Sequence, residues 1–173
     1  MTMTKPGYEY LITYQYSIEI YDLTDEFVSK FLGGREYVRT REQMVQAARS
    51  CKQNIVEGYM EKSLKSYIKL LGVARASLEE LLEDFKDFAR GHRVVLRDKW
   101  DKWGKREKTG KFLLPLSPLD PFDPFIPVNY MVNLIRRTTY LLDRQISALE
   151  RKFISEGGYT EKLFQKRLSY RKG

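Results

Sequence analysis

The chain has 173 residues, 42% hydrophobic and 31% charged, enough for one domain with a buried core of its own. One cysteine (Cys51) and one histidine (His92) exclude an internal disulfide and a zinc site of the usual Cys/His kind, which takes roughly four ligands. The formal net charge of +8 is unevenly spread: residues 91–112 carry +5 and residues 159–173 carry +4. Clustering of this kind suits a polyanionic partner, and from charge alone a solvated, solubilising set of lysines and arginines is an equal alternative. No apolar run approaches the ~20 residues of a membrane span, and the start, MTMTKPGYEY, has no secretory-signal core. A cytosolic location and no membrane partner are expected.

Four long helices are predicted. The first runs from about Tyr8 to Phe31. Leu11, Tyr14, Ile18, Tyr21 and Val28 recur at helical spacing, and Ile12, Tyr16, Ile20, Leu23 and Phe27 widen the stripe. Its aromatic and β-branched content makes a strand over Tyr10–Tyr16 a competing reading. The second runs from Arg41 to about Tyr59, with Thr40 and Gln43 spaced as a capping box. Met44, Ala47, Ala48, Cys51 and Ile55 form its apolar face, and its small residues admit a close neighbour. Cys51 on that face reads as core. The third runs from about Leu64 to Arg90, capped by Ser63 and stopped by Gly91. Its apolar face includes Tyr67, Leu71, Ala74, Leu78, Leu81, Phe85 and Phe88, with Glu79, Glu80, Glu83 and Asp84 on the wet side.

A different composition follows. His92–Lys105 reads as a broken helical continuation holding Trp100 and Trp103. Prolines at 115, 118, 121, 124 and 127 give an extended path. Its content of Leu113, Leu114, Leu116, Leu119, Phe122, Phe125 and Ile126 implies packing against the bundle or another subunit. The fourth helix runs from about Val128 to Glu156, with Pro127 in its first turn. Thr160–Tyr170 reads as a short extra helix with a basic face. The expected architecture is all-α: an up-down antiparallel four-helix bundle with a Pro-rich connection before the last helix. It is a single domain, organised as residues 1–112, the connection 113–127, and the fourth helix with its basic tail, 128–173.

The sequence has no Gly-rich phosphate loop, no HExxH, no GxSxG and no Glu-x-x-His pairs. No enzyme, cofactor or metal is expected. The leading expectation is a non-catalytic nucleic-acid-binding protein, with RNA or DNA as partner and structured RNA favoured. Arg93, Arg97, Lys99, Lys102, Lys105, Arg106, Lys108 and Lys111, joined by Lys162, Lys166, Arg167, Arg171 and Lys172, would contact phosphates. Trp100 or Trp103 would stack on a base. For Arg75, Arg136 and Arg137, phosphate contact and an inter-subunit ion pair are both open. The alternative is a structural or adaptor protein that holds another protein.

At the junction of helices two and three, Gln53-Asn54-Ile55-Val56-Glu57-Gly58, then Ser63, Tyr67, Leu71, Ala74-Arg75-Ala76-Ser77-Leu78 and Glu80, resemble the four-helix-bundle family of the 23S rRNA intervening-sequence proteins. Tyr21-Asp22-Leu23-Thr24-x-x-Phe27 resembles that family's first helix. The chain departs from the pattern at Ala76, Ser66 and Glu61-Lys62. The stretch from Ile126-Pro127 through Arg136-Arg137 to Gly157-Gly158 is similar to a C-terminal four-helix-bundle suffix domain. The resemblance implies an up-down bundle assembled as a homo-oligomeric ring, commonly a pentamer, without catalysis. A distant sister branch, the retroelement accessory variability proteins, binds nucleic acid and a reverse transcriptase. The matching residues Asn54, Glu57, Gly58, Ser63 and Arg75 have a structural reading of their own. In it, Asn54 and Glu57 satisfy backbone groups at the turn, with Glu57 accepting from the free N–H groups that open helix three.

Overall fold

The computed structural model describes residues 6–97, 113–117 and 120–172. A 3-10 turn at Gly7–Tyr10 leads into α1 (Ile12–Phe31). A second turn at Arg35–Tyr37 leads into α2 (Val38–Met60), followed by α3 (Leu64–Gly91), α4 (Phe125–Glu156) and the shorter α5 (Tyr159–Lys172). The first four pack in cyclic order, α1 on α2, α2 on α3, α3 on α4, and α4 back on α1. This is the up-down four-helix bundle. Among the described residues there is no strand, and no helix is long and apolar enough to cross a membrane.

The core shows why each periodicity folds as it does. Met44, Ala47, Ala48, Cys51 and Ile55 of α2 are buried, as are Leu71, Ala74, Leu78, Leu81 and Phe85 of α3. Burial pushes the Cys51 thiol up to about 12, so it packs as a small apolar side chain. On α1 the seam is shifted from the expected one. It passes through Thr13, Ser17, Ile20, Thr24 and Phe27, while Ile12 is 49% exposed. Ser17 returns its hydroxyl to the Tyr14 carbonyl, which lets a polar residue sit in the seam. At one end Phe27 contacts Phe85 and Phe88 at ring-centroid distances of 4.9 Å, and His92 stacks on Phe88 at 3.9 Å. At the other end Thr13 donates to Gln145, which donates to Tyr67, joining α1, α4 and α3.

The helix ends correct several expectations. Ser63 caps α3 as expected, accepting from the Ser66 N–H. Thr40 caps nothing: the turn at Arg35–Tyr37 runs straight into α2, leaving Thr40 inside the helix. α4 starts at Phe125, three residues early, because a proline in a first turn has no N–H to lose. Gly91 does not stop α3. The helix continues to Gly91 and closes through Arg93, whose φ of 55° is left-handed. Val94 N–H bonds the Ala89 carbonyl and Arg93 N–H bonds that of Arg90, a Schellman ending with arginine where glycine is usual. Arg93→Gly is therefore expected to raise stability by about 0.5–1 kcal/mol in urea denaturation, and Arg93→Ala to give no such gain.

Gly58 has a steric role. A Cβ there would lie 2.8 Å from Tyr67 Cδ2 and 3.3 Å from Leu70 Cβ, so its bare backbone lets α2 cross α3 closely. Tyr67 cannot withdraw freely, because its hydroxyl accepts from Gln145. Gly58→Ala is expected to cost about 1–2 kcal/mol net in urea denaturation, the overpacking outweighing the ~1 kcal/mol gained in helix propensity.

Candidate nucleic-acid interface

After α3 the chain is anchored to α4 just before the basic segment. Residues 94–97 are not helical, which corrects the expected helical continuation there. Asn129, fully buried on α4, accepts from the Arg97 N–H at 2.7 Å and donates to the Val95 carbonyl at 3.0 Å. Asn133, one turn on, donates to the Arg97 carbonyl at 3.0 Å. The Arg97 guanidinium lies over the Phe125 ring at 5.3 Å. On the far side of the segment, Leu114 N–H donates to Glu26 of α1 at 3.0 Å, and the Leu114 side chain enters the core. The chain thus departs from α4 at Arg97 and is back on α1 at Leu114. Lys99, Trp100, Lys102, Trp103, Lys105, Arg106, Lys108 and Lys111 lie between these anchors, outside the described residues.

The Pro-rich connection packs on the bundle in part. Leu114 and Pro115 are buried and Leu116 is half-buried, whereas Phe122 is 74% exposed beneath the Lys30 ammonium.

The cations of the C-terminal helix stand elsewhere. Lys162, Lys166, Arg167 and Arg171 are exposed on α5, Lys162 paired with Glu156 at 3.0 Å. Lys172 ends that helix, and its side chain lies outside the described residues. From Asn133, beside Arg97, to the end of α4 at Glu156 the helix rises by about 35 Å. Arg93 and Arg97 therefore lie near one end of the bundle, and α5 follows the other. Within one chain, Arg93 and Arg97 do not meet the cations of α5.

Of what lies between them, Arg136 and Arg137 were singled out in the sequence, and Tyr140, Arg144 and Arg151 were missed. The solvent face of α4 carries Arg137, Tyr140, Arg144, Ser147 and Arg151 at alternating steps of three and four residues, with Arg136 and Lys152 beside them. The Arg137 guanidinium lies 5.4 Å above the ring of Tyr16. Arg144 donates to the Tyr140 hydroxyl at 3.1 Å. Asp143, on the flank of this stripe, is engaged by Arg75 at 2.5 Å. That contact places Arg75 in an ion pair within the chain, between α3 and α4. The spacing was there to be found, but the local excess of residues 128–158 is small beside those of the two flanking segments.

Beneath the stripe, Glu19 of α1 is buried and accepts from the Tyr130 hydroxyl. Burial, then the Glu19 carboxylate, raises Tyr130 well above the usual phenol range. This seam holds α1 to α4 behind the arginines.

The turn residues do less than expected. Asn54 donates to the Ser50 carbonyl of its own helix at 2.8 Å and Glu57 is exposed, while Ser63 is the side chain that accepts at the α3 N-terminus. Ser50 meets Ser77 at 2.9 Å across the α2–α3 crossing. Of the motif residues, Gly58 is the one whose bare backbone keeps that crossing close.

Searches of curated proteins and of solved structures return no match. Residues 9–103, more than half the chain, match the model of the 23S rRNA-intervening sequence protein family; the match covers α1 to α3 and ends before α4. The fold and the match agree, and the chain belongs to the 23S rRNA-intervening sequence protein family.

Proposed function

We propose that the protein is a non-catalytic nucleic-acid-binding protein that engages structured RNA through the solvent face of α4 and the basic segment tethered beside it. The observation that carries this reading is the α4 stripe. Arg137, Arg144 and Arg151 recur along about 20 Å of helix, with Tyr140 among them 58% exposed. Arginines on a rigid helix present planar donors to phosphates, and an exposed tyrosine adds a surface for an unpaired base. The family's name points to ribosomal RNA as the first ligand to try. Recognition by spaced charge on a helix is shape-led, as for other proteins that bind RNA helices.

The test is titration of the full chain with a labelled rRNA hairpin by fluorescence anisotropy at several salt concentrations. Affinity is expected to fall linearly in log–log form, each phosphate contact contributing about 0.7–0.9 to the slope. A flat salt response, or no binding at low salt, rejects the reading.

A further inference from the structure

Asp143 is the odd residue of the α4 stripe. Between Arg136 and Leu149 it is the one carboxylate on that helix. It lines a shallow recess of about 290 Å³ together with Tyr140, Arg144, Ser147 and Arg151. That volume falls just below the about 300–1,000 Å³ of small-molecule pockets and leaves ample room for a phosphate group. A phosphate held there by Arg144 and Arg151 lies well inside the roughly 8 Å over which charges act at physiological salt. A bare carboxylate in the wall of the recess opposes it.

Arg75 supplies the counter-charge from the neighbouring helix. Its Nε donates to Asp143 Oδ1 at 2.5 Å, from α3 to α4. The two side chains are 42% and 49% exposed, and a pair so open to water contributes little to stability. Its effect on the field is larger. The pair is neutral as a unit, so the recess keeps the positive charge of Arg144 and Arg151 undiminished. Glu150 offers the contrast. It stands seven residues on, on the same flank of α4, but it lies outside the recess lining and has no cation partner among the described residues.

We propose that Arg75 is a positioning residue of the α4 interface: it masks Asp143, so that the recess accepts a backbone phosphate of the RNA. Arg75 acts through Asp143 and does not itself touch the phosphate. This role rests on the α4 reading above and adds a residue of a second helix to it. It also gives the exposed pair between α3 and α4 a use that its small contribution to folding does not.

A double-mutant cycle on the full chain tests it, read as affinity for the rRNA hairpin by fluorescence anisotropy at several salt concentrations. Arg75→Gln is expected to weaken binding about tenfold by baring Asp143. Asp143→Asn alone should change affinity by less than about twofold, because that charge is already masked. Both substitutions together should return affinity to within about twofold of the native chain. Glu150→Gln, which removes an unmasked carboxylate, should tighten binding more than Asp143→Asn does. Urea midpoints of all variants should stay close to the native one. Three outcomes overturn the proposal. If the double variant keeps the full loss and its log–log salt slope falls by about 0.7–0.9, Arg75 itself holds a phosphate. If Asp143→Asn weakens binding as much as Arg75→Gln, the pair acts by holding the helices together. If the two effects simply add, with Asp143→Asn tightening binding as far as Arg75→Gln loosens it, only total charge counts. A native chain that binds without rescue in the double variant rejects the masking alone, whereas a native chain that fails to bind at low salt rejects the α4 reading and the masking with it.

Discussion

Asn129→Leu is expected to lower stability by about 2–3 kcal/mol in urea denaturation, more than Asn133→Leu on the same helix. Asn129 is fully buried and satisfies three backbone groups: the Arg97 N–H, the Val95 carbonyl and the Phe125 carbonyl of its own helix. Leucine matches its volume but offers no donor or acceptor. The Arg97 N–H and Val95 carbonyl then lose their partner; both residues are exposed, so water recovers part of the loss and each group costs about 1 kcal/mol. Asn133 is only half-buried, and water can replace its bond to the Arg97 carbonyl. Asn133→Leu should thus cost no more than about 1 kcal/mol. Equal losses for the two variants would show that Asn129 acts by packing alone. Asn129→Asp separates the bonds, since it keeps the acceptor for Arg97 and loses the donor to Val95. The same variants bear on function, because this asparagine fixes where the basic segment leaves the bundle.

How far the fold was legible follows from what each residue does. Apolar faces of regular period, such as Met44 to Ile55 and Leu71 to Phe85, fixed α2 and α3 because burial of those side chains dominates their energetics. On α1 the same logic misplaced the seam. Threonine and serine at 13, 17 and 24 are small enough to lie between helices, and Ser17 bonds within its helix while Thr13 bonds across to Gln145, properties hydropathy does not register. The Ser63 cap was legible because its side chain makes a local bond. The Arg93 ending was not, because arginine rarely takes a left-handed φ and Gly91 offered a more orthodox stop. Asn129 was invisible for another reason: its partners lie 32 and 34 residues away, and sequence spacing carries no sign of such contacts.

The site shows the same division. Net charge by segment located the residues after α3 and the tail, but not their separation, which follows from the unbroken length of α4. A ridge of arginines along α4 and a carboxylate-lined groove between α2 and α3 give the bundle two surfaces of opposite sign. One suits a polyanion and the other repels it. A polyanion that follows α4 avoids the groove's repulsion, and that separation orients the encounter before any close contact forms.

Replacing Arg137, Arg144 and Arg151 together by glutamine is expected to weaken binding to an rRNA hairpin by about 100-fold near 0.15 M salt. The figure follows from counterion release. Each phosphate left without its cation takes about 0.7–0.9 off the log–log salt slope, so the three together reduce it by about 2 to 3. Across the roughly 0.8 log units between 0.15 M and the 1 M reference, that is about two decades in affinity. Arg144 and Arg151 are exposed, and Arg137 rests its guanidinium on Tyr16, where glutamine keeps the aliphatic stem. The fold should lose under about 1 kcal/mol, which circular dichroism and urea denaturation will check. Arg35→Gln with Arg49→Gln, two exposed arginines off the stripe, supplies the comparison. An equal loss in that control would mean diffuse charge rather than an α4 track. An unchanged slope in the triple variant would remove α4 from the interface and leave the segment beyond Arg97 to carry the binding.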